Sequence, residues 1–343
     1  MNDLLTGILT ALLSTNSPAT ISNLINSRAP LVKAALQAVE SDPVEAEFKR
    51  LMEQDDEARE RIDSVIQQNA QDDSAKPALK RLGQAEQLEG LAAPVRKAYE
   101  AFIAKHPRHA RARIAYGSFL NEIAEEGAGL EQWLKAKEID PKDPAAWNNL
   151  ANHYGHNGPL TNALTHYAKA IELNPHESVY YQNLAATLYL FRVQSADFLG
   201  KSVQEVMNAS MQMYHKAMEL DPSNFRLATD VAQSYYGLPG FKGAKTEPEM
   251  IKQRGISENA LNAWTNAFRL AGDDIERQGV LIHMARLSLH LGRKSEAQAA
   301  LNSVTNAMFT STRTALLRKL QQEGRPAAEE KTPAKASAEE PKR

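Results

Sequence analysis

Polar side chains of one type recur in the middle of the chain. Asn149 and Asn183 stand 34 residues apart, and Asp230, which has nearly the same shape, follows further along. An amide both donates and accepts hydrogen bonds, so it can pair with a peptide backbone whatever the sequence of that peptide. These residue types therefore suggest that the protein binds polypeptide.

Signals for catalysis or metal binding are weak. The chain has no cysteine, which excludes disulfides, thiolate zinc sites, iron–sulfur clusters and a cysteine nucleophile. His153 and His156 have helical spacing, as do His283 and His290, but no nearby carboxylate completes a ligand set, so we interpret all four as helix-surface histidines. We expect no enzyme activity, no metal and no cofactor.

Charge and glycine patterns also fail to indicate a nucleic-acid or phosphate site. Lys and Arg number 40 against 42 Asp and Glu, and the run 106–113 is the only basic cluster. We interpret that run as a solvated loop and helix start. The glycine-rich segment 237–245 lacks the G-x4-G-K-[ST] order of a phosphate loop and predicts a flexible loop instead.

The N-terminus bears on where the protein resides. Residues 4–13 are the nearest approach to a signal sequence, but no Lys or Arg precedes Arg28. No apolar run approaches the 18 residues of a membrane span. We expect a cytoplasmic protein, or a periplasmic one if a signal peptide has been removed.

The elements that position the amides are helices, because helical periodicity recurs and strand-like alternation does not. The clearest unit begins at Pro144. Its marker positions are Trp147, Leu150, Ala151, Tyr154, Ala163, Tyr167, Ala170 and Pro175. The small residues let two antiparallel helices approach, the large ones fill the space between them, and stacking of units supplies the core.

This spacing resembles the tetratricopeptide repeat (TPR) family, whose 34-residue unit carries similar residues at these positions. The resemblance implies an all-α, right-handed solenoid of helix hairpins, of the bacterial TPR type, with a helical N-terminal extension.

Neighbouring segments repeat similar residues at the same spacing. We predict an N-terminal helical extension over residues 1–75, with helices at about 3–13, 19–27, 30–40 and 43–69. A repeat array follows over 76–304, with units starting near 76, 110, 144, 178, 225 and 278 and insertions at about 191–204 and 237–255. A capping helix at about 305–322 and a disordered tail at 323–343 complete the chain.

The first helix of each unit predicts which residues line the concave groove that the TPR resemblance implies. We count from the anchoring leucine of each first helix or its equivalent, which is Leu150 in the clearest unit. Positions five, two and one before this residue, and two, five and six after it, point away from the packed face. The predicted groove residues are Asn148, Asn149, Asn152, His156, Gln182, Asn183, Tyr189, Arg226, Asp230, Gln233, Tyr236 and Arg286.

Function follows from this groove as a hypothesis. The amides resemble the asparagine ladder in the TPR superhelix of O-GlcNAc transferases, which implies a non-enzymatic scaffold that binds an extended peptide of a partner protein. The groove lacks the cations of the carboxylate clamp of chaperone-binding TPR proteins. Arg111, Arg226 and Arg286 would favour an acidic peptide.

Two alternatives remain open. The protein could be a structural subunit of an assembly that uses the N-terminal helices, the convex face or the inserted loops. It could also be an enzyme or carrier with a ligand in the groove. The sequence identifies neither the partner nor the oligomeric state.

Overall fold

The computed structural model describes residues 42–71 and 77–323, which fold into α-helices joined by short turns. The helices predicted at about 3–13, 19–27 and 30–40, and the tail from residue 324, lie outside the described residues. The helices are α1 Pro43–Gln71, α2 Pro77–Lys105, α3 Ala110–Glu122, α4 Glu126–Ile139, α5 Pro144–Asn157, α6 Leu160–Leu173, α7 Ser178–Leu190, α8 Arg192–Leu199, α9 Val203–Leu220, α10 Phe225–Ser234, α11 Glu247–Leu270, α12 Asp274–His290, α13 Lys294–Asn302 and α14 Thr310–Glu323.

The described residues divide into two compact units, one that ends at residue 213 and one that begins at residue 214. In the first unit α1 pairs with α2, α3 with α4, and α5 with α6. In the second unit α10 pairs with α11 and α12 with α13, and α14 packs on this last hairpin. The predicted fold class, an all-α stack of helix hairpins, is confirmed. None of the described helices is long and apolar enough to cross a membrane.

Helix starts follow the capping signals of the sequence. The Asp143 carboxylate accepts a 2.9 Å hydrogen bond from the Ala145 amide, with Pro144 in the first turn of α5. The Asn224 side chain accepts a 2.9 Å bond from the Leu227 amide at the start of α10. These side chains satisfy backbone N–H groups that lack a partner inside the helix, and so they fix where each hairpin begins.

Glycine determines how closely α3 and α4 approach each other. A Cβ at Gly117 would lie 2.5 Å from the Trp133 Nε1, and a Cβ at Gly129 would lie 2.8 Å from the Gly117 carbonyl oxygen. Both distances are shorter than real Cβ contacts, so neither position admits a larger residue without movement of the helices. Trp133 lies against this crossing and donates a 3.1 Å hydrogen bond to the Ile114 carbonyl.

The unit predicted to start near residue 76 is wrong, because residues 77–105 form one continuous helix instead of a hairpin. The expected turn would have fallen near Gly90, but a glycine inside a helix costs only about 1 kcal/mol relative to alanine. The flanking residues are mostly good helix formers, and Pro94 is also accommodated inside α2. The hairpin that precedes residue 110 is therefore formed by α1 and α2.

Both inserted segments contain ordered elements. The segment at about 191–204 forms α8, and the segment at about 237–255 includes a loop and the first turns of α11. Phe241 at the centre of that loop is buried, and its carbonyl accepts a 2.9 Å hydrogen bond from the Gln253 side chain. The structure therefore contradicts the interpretation of 237–245 as a simple flexible loop, because Phe241 anchors it to the core.

A buried polar network attaches α1 to the rest of the first unit. The fully buried Asp55 carboxylate accepts hydrogen bonds from Tyr99 on α2 at 2.7 Å and from Arg59 at 2.9 and 3.1 Å. Arg59 also forms an ion pair with Glu122 at the end of α3. Burial and the Asp55 charge both raise the pKa of the Tyr99 hydroxyl, so this group donates and stays neutral.

We expect Asp55→Ala to lower the free energy of unfolding by about 3–5 kcal/mol, because it leaves the Arg59 charge and the Tyr99 hydroxyl without their buried acceptor. Urea unfolding followed by far-UV circular dichroism measures the loss. Asp56→Ala, at the neighbouring exposed position, is the matched control and should cost about 0.5 kcal/mol or less. Equal losses in the two variants would contradict a structural role for the network.

Candidate functional site

Most of the amides singled out in the first unit line one open, polar cleft of about 500 Å³. We call this surface the amide cleft. Its lining comes from α3, from α5, from the first helical turns of α4 and from α7. The lining residues are Ser118, Asn121, Glu122, Glu126, Trp133, Asn149, Asn152, His153, His156, Asn157 and Asn183.

Two asparagines of the amide cleft are held by hydrogen bonds to the preceding hairpin. Asn149 donates to the Ser118 hydroxyl at 3.2 Å, and Asn183 donates to the carbonyl oxygen of the buried Asn148 side chain at 3.0 Å. Each bond uses one N–H of an amide that has two. The second N–H and the carbonyl oxygen of Asn149 and of Asn183 have no hydrogen-bond partner among the residues that the structure describes.

Buried hydroxyl groups fix the position of the Asn152 side chain. Tyr167 on α6 donates a 2.7 Å hydrogen bond to the Asn152 carbonyl oxygen, and the Thr187 hydroxyl donates to the Tyr167 oxygen at 3.4 Å. Burial raises the pKa of Tyr167 to about 12, so its hydroxyl keeps its proton at neutral pH. The tyrosine therefore fixes the direction of the Asn152 amide.

Carboxylates lie at the α3–α4 end of the amide cleft. Glu126 accepts a 3.0 Å hydrogen bond from Asn157, and Glu122 pairs with Arg59 outside the cleft lining. Burial raises the pKa of the Glu122 carboxyl above its ordinary value, while Arg59 lowers it and nearby acidic groups raise it further. The lining contains two carboxylates and no lysine or arginine.

The structure places the other predicted groove residues of the first unit differently. Asn148 is buried beneath Asn183 and supports it. Gln182 and Tyr189 are half-buried and lie outside the cleft lining, and the Tyr189 carbonyl accepts a 3.2 Å bond from Arg192. The first unit thus brings together Asn149, Asn152, His156 and Asn183.

The remaining predicted residues belong to the second unit. Arg226, Gln233 and Arg286 are exposed and Asp230 is half-buried. Tyr236 follows α10 in a single 3-10 turn, Tyr235–Gly237, and its hydroxyl lies 3.2 Å from the Nδ1 of His283.

Tyr236 belongs to a set of stacked rings that we call the imidazole–aromatic cluster. The ring of His283 stacks on Trp264 at 4.0 Å with an interplanar angle of 8°. Phe241 lies edge-on to Tyr236 at 5.2 Å and stacks on His290 at 5.5 Å. The inserted loop is therefore attached to the hairpin that follows it.

Protonation of this cluster is unfavourable. Burial lowers the pKa of His283 to about 4, and the positive charge of Arg286 acts in the same direction. Burial raises the pKa of Tyr236 to about 12, with Arg286 opposing that shift. At neutral pH both groups are uncharged, as a stacked and half-buried cluster requires.

Sequence reasoning missed several cleft residues, although a signal existed for some of them. Asn121 and Glu122 stand five and six positions after Tyr116, the anchoring residue of their repeat. These two positions are among those predicted from the sequence to line the groove. His153 and Asn157 lie on the same helix as Asn149. Glu126 and Trp133 come from the second helix of the hairpin, whereas groove positions were predicted only on first helices.

Part of the basic cluster 106–113 is paired with acidic residues of α1. Glu47 on α1 pairs with Lys105 at 2.6 Å and with His106 at 3.2 Å, and Glu45 pairs with Arg111 at 2.9 Å. The segment is thus the contact through which the start of α1 packs on the α2–α3 turn. Arg111 consequently lies outside the amide cleft.

Comparison with known proteins identifies the repeat. Residues 144–177 match the family model described as a tetratricopeptide repeat. No curated protein matches the sequence. Within the part of the chain that the structure describes, no three His, Asp or Glu side chains are grouped closely enough to hold a metal ion.

Solved structures that match part of this chain are distant in sequence. PilF of Pseudomonas aeruginosa has 15% identity and a TM-score of 0.49, with 78% of this chain and 99% of that chain covered. A TPR protein of Cytophaga hutchinsonii has 13% identity and a TM-score of 0.47, with 78% and 98% covered. The TPR protein TTC0263 of Thermus thermophilus has 17% identity and a TM-score of 0.40, with 62% and 97% covered.

We expect acid to destabilise the protein partly through His283. Its pKa of about 4 lies below the value of about 6.5 in an unfolded chain, so the unfolded state binds more protons between these two values. Above about pH 6.5 His283 does not lower the free energy of unfolding. Acidification to pH 4 lowers the free energy of unfolding by about 3 kcal/mol through this residue. Burial also lowers the pKa of His109, His166 and His290, which add to the total.

The difference between His283→Phe and the wild-type protein isolates this contribution. Urea unfolding at a series of pH values between 4 and 7 should give a smaller loss of stability with acid in the variant. His215→Gln, at an exposed position of α9, serves as the control. An unchanged pH dependence in His283→Phe would show that His283 is not buried in its neutral form.

Proposed function

Because this chain is a tetratricopeptide-repeat protein, we propose that it is a protein-interaction scaffold whose amide cleft binds an extended segment of a partner protein. The observation that carries the proposal is the arrangement of Asn149 and Asn183 in one cleft. Each is fixed by one hydrogen bond to the preceding hairpin, and each retains one N–H and one carbonyl oxygen.

A peptide backbone is the ligand that these amides complement. Every peptide unit offers one N–H and one carbonyl oxygen, and a side-chain amide can satisfy both. The bonds to Ser118 and Asn148 hold the amides in place before binding, which reduces the entropy lost when the peptide is ordered. Asn152 and His156 extend the polar lining on the same helix.

The partner can be captured by photo-cross-linking in extracts of the source cells. A cross-linking amino acid replaces His156, which is exposed in the cleft, and in a second protein it replaces Glu172, which is exposed on α6 and outside the cleft lining. The proposal expects an adduct from position 156 that is absent from position 172. Peptide mapping of the adduct then identifies the bound segment.

Cleft variants test whether the amides contact that segment. We expect the double change Asn149→Ala and Asn183→Ala to weaken binding of the mapped segment about 10-fold or more, since each amide can make two hydrogen bonds to it. Titration of the labelled segment with purified protein, followed by fluorescence anisotropy, measures the affinity.

The matched control is Ser118→Ala. It removes the same bond between hairpins that Asn149→Ala removes, but it leaves the Asn149 amide in the cleft. We expect it to weaken binding less than the double variant does, because the loss of this bond affects only how Asn149 is held and leaves its amide able to contact the segment. Equal weakening in the two proteins would mean that the amides act only by stabilising the stack, and unchanged affinity of the double variant would contradict the proposal.

A second candidate function is that of a structural subunit, and one observation favours it. Leu190 at the end of α7 and Val193 in the inserted α8 are 63% and 54% exposed. Exposed apolar side chains close together are typical of contact sites. If this surface forms an assembly contact, Leu190→Ser with Val193→Ser should release the captured partner while the double asparagine variant retains it.

A further inference from the structure

We propose that the amide cleft selects a segment with a lysine or arginine side chain, which lies at the end of the cleft where Glu122 and Glu126 stand. This inference rests on the proposed function, because it assigns a chemical class to the segment that the amides hold. It reverses the expectation, drawn from Arg111, Arg226 and Arg286, that an acidic peptide would be favoured.

The arginines that suggested an acidic ligand are not part of the cleft. Arg111 pairs with Glu45 at 2.9 Å and lies outside the lining. Arg226 and Arg286 belong to the second unit, whereas the amide cleft is formed within the first. No lysine or arginine lines the cleft, and its charged lining residues are Glu126 and Glu122, which Arg59 contacts from α1.

The two carboxylates are attached to groups that hold them at the cleft wall. Arg59 binds Glu122 from the side of α1, and Asn157 donates a 3.0 Å hydrogen bond to one oxygen of Glu126. A carboxylate has about four lone-pair positions, so each retains acceptor capacity for a further donor. An ammonium or guanidinium group offers three to five donors that match this acceptor capacity.

The electrostatic surroundings of Glu122 favour an additional cation. Arg59 is shared between Glu122 and the fully buried Asp55, so one guanidinium is opposed by two carboxylates. Burial raises the pKa of Glu122, and the charges of Asp55 and Asp63 raise it further against the effect of Arg59. A cationic side chain placed here would lower the energy of the ionised carboxyl group.

The amides and the carboxylates therefore have different roles in binding. Asn149 and Asn183 contact the backbone of the segment and are indifferent to its sequence, whereas Glu122 and Glu126 contact one side chain and distinguish among sequences. Charges near the rim of a binding site contribute more to selectivity than to total affinity.

Three blocked decapeptides of alternating serine and alanine, with one central Lys, Gln or Glu, test the inference. Binding is followed by fluorescence anisotropy with a neutral dye at about 50 mM and about 500 mM salt. We expect the lysine peptide to bind about 3- to 5-fold more tightly than the glutamine peptide at low salt. The glutamate peptide should bind most weakly, and the differences should shrink at high salt because exposed charges are screened.

Variants of α4 locate the effect. Glu126→Gln keeps an acceptor for Asn157 but removes the charge, and it should reduce the preference for lysine to about 2-fold or less. Glu131→Gln removes the same charge from an exposed position of the same helix that lies outside the cleft. We expect this control to keep the full preference, since only the position of the lost charge differs.

The outcomes separate the two proposals. In one outcome the glutamine or glutamate peptide binds as tightly as the lysine peptide, and the double asparagine variant lowers the affinity for all three. Selection of a cationic side chain is then refuted, whereas binding of the peptide backbone by the amide cleft is supported. If Glu131→Gln and Glu126→Gln act equally, the effect comes from net charge and the inference also fails. If none of the peptides binds at millimolar concentration, both the inference and binding of a generic backbone are contradicted.

Discussion

The cleft depends on a close contact between two helix backbones. Gly117 and Gly129 let α3 and α4 cross where a single added methyl group would overlap Trp133 or a backbone carbonyl. Trp133 fills the space beside this crossing and also forms part of the cleft wall. The distance between the two helices therefore sets both the packing of the hairpin and the position of the aromatic ring that borders the site.

Much of this architecture can be predicted from the sequence, because the signals that define it are local. Units were predicted to start near 144 and 225, and α5 and α10 begin at Pro144 and Phe225, where Asp143 and Asn224 cap them. The prediction failed at α2, where the repeat spacing placed a turn near Gly90 but the chain forms one helix. Whether a glycine ends a helix depends on the summed preferences of its neighbours and on tertiary packing, and a repeat frame read at low similarity takes neither into account.

The candidate site was less predictable than the fold. Rotation about one helix identifies which side chains share a face, and Asn149 and Asn152, which it assigned to one face, both line the cleft. It cannot identify contributions from a second helix, which is why Glu126 and Trp133 were missed. It also cannot show that Asn148 lies buried beneath Asn183, since that contact joins two hairpins and depends on how they stack.

Glu122 both lines the amide cleft and forms an ion pair with Arg59 of α1, so the cleft depends on a helix that a shortened protein could lack. A fragment beginning at Ala110 would keep every residue of the cleft lining but would lose Arg59, the cation beside Glu122. It would also uncover Tyr116 and Phe119, which now pack in one core with residues of α1 and α2. The α1–α2 hairpin thus covers this side of α3, and fragments intended for binding studies should begin no later than α1.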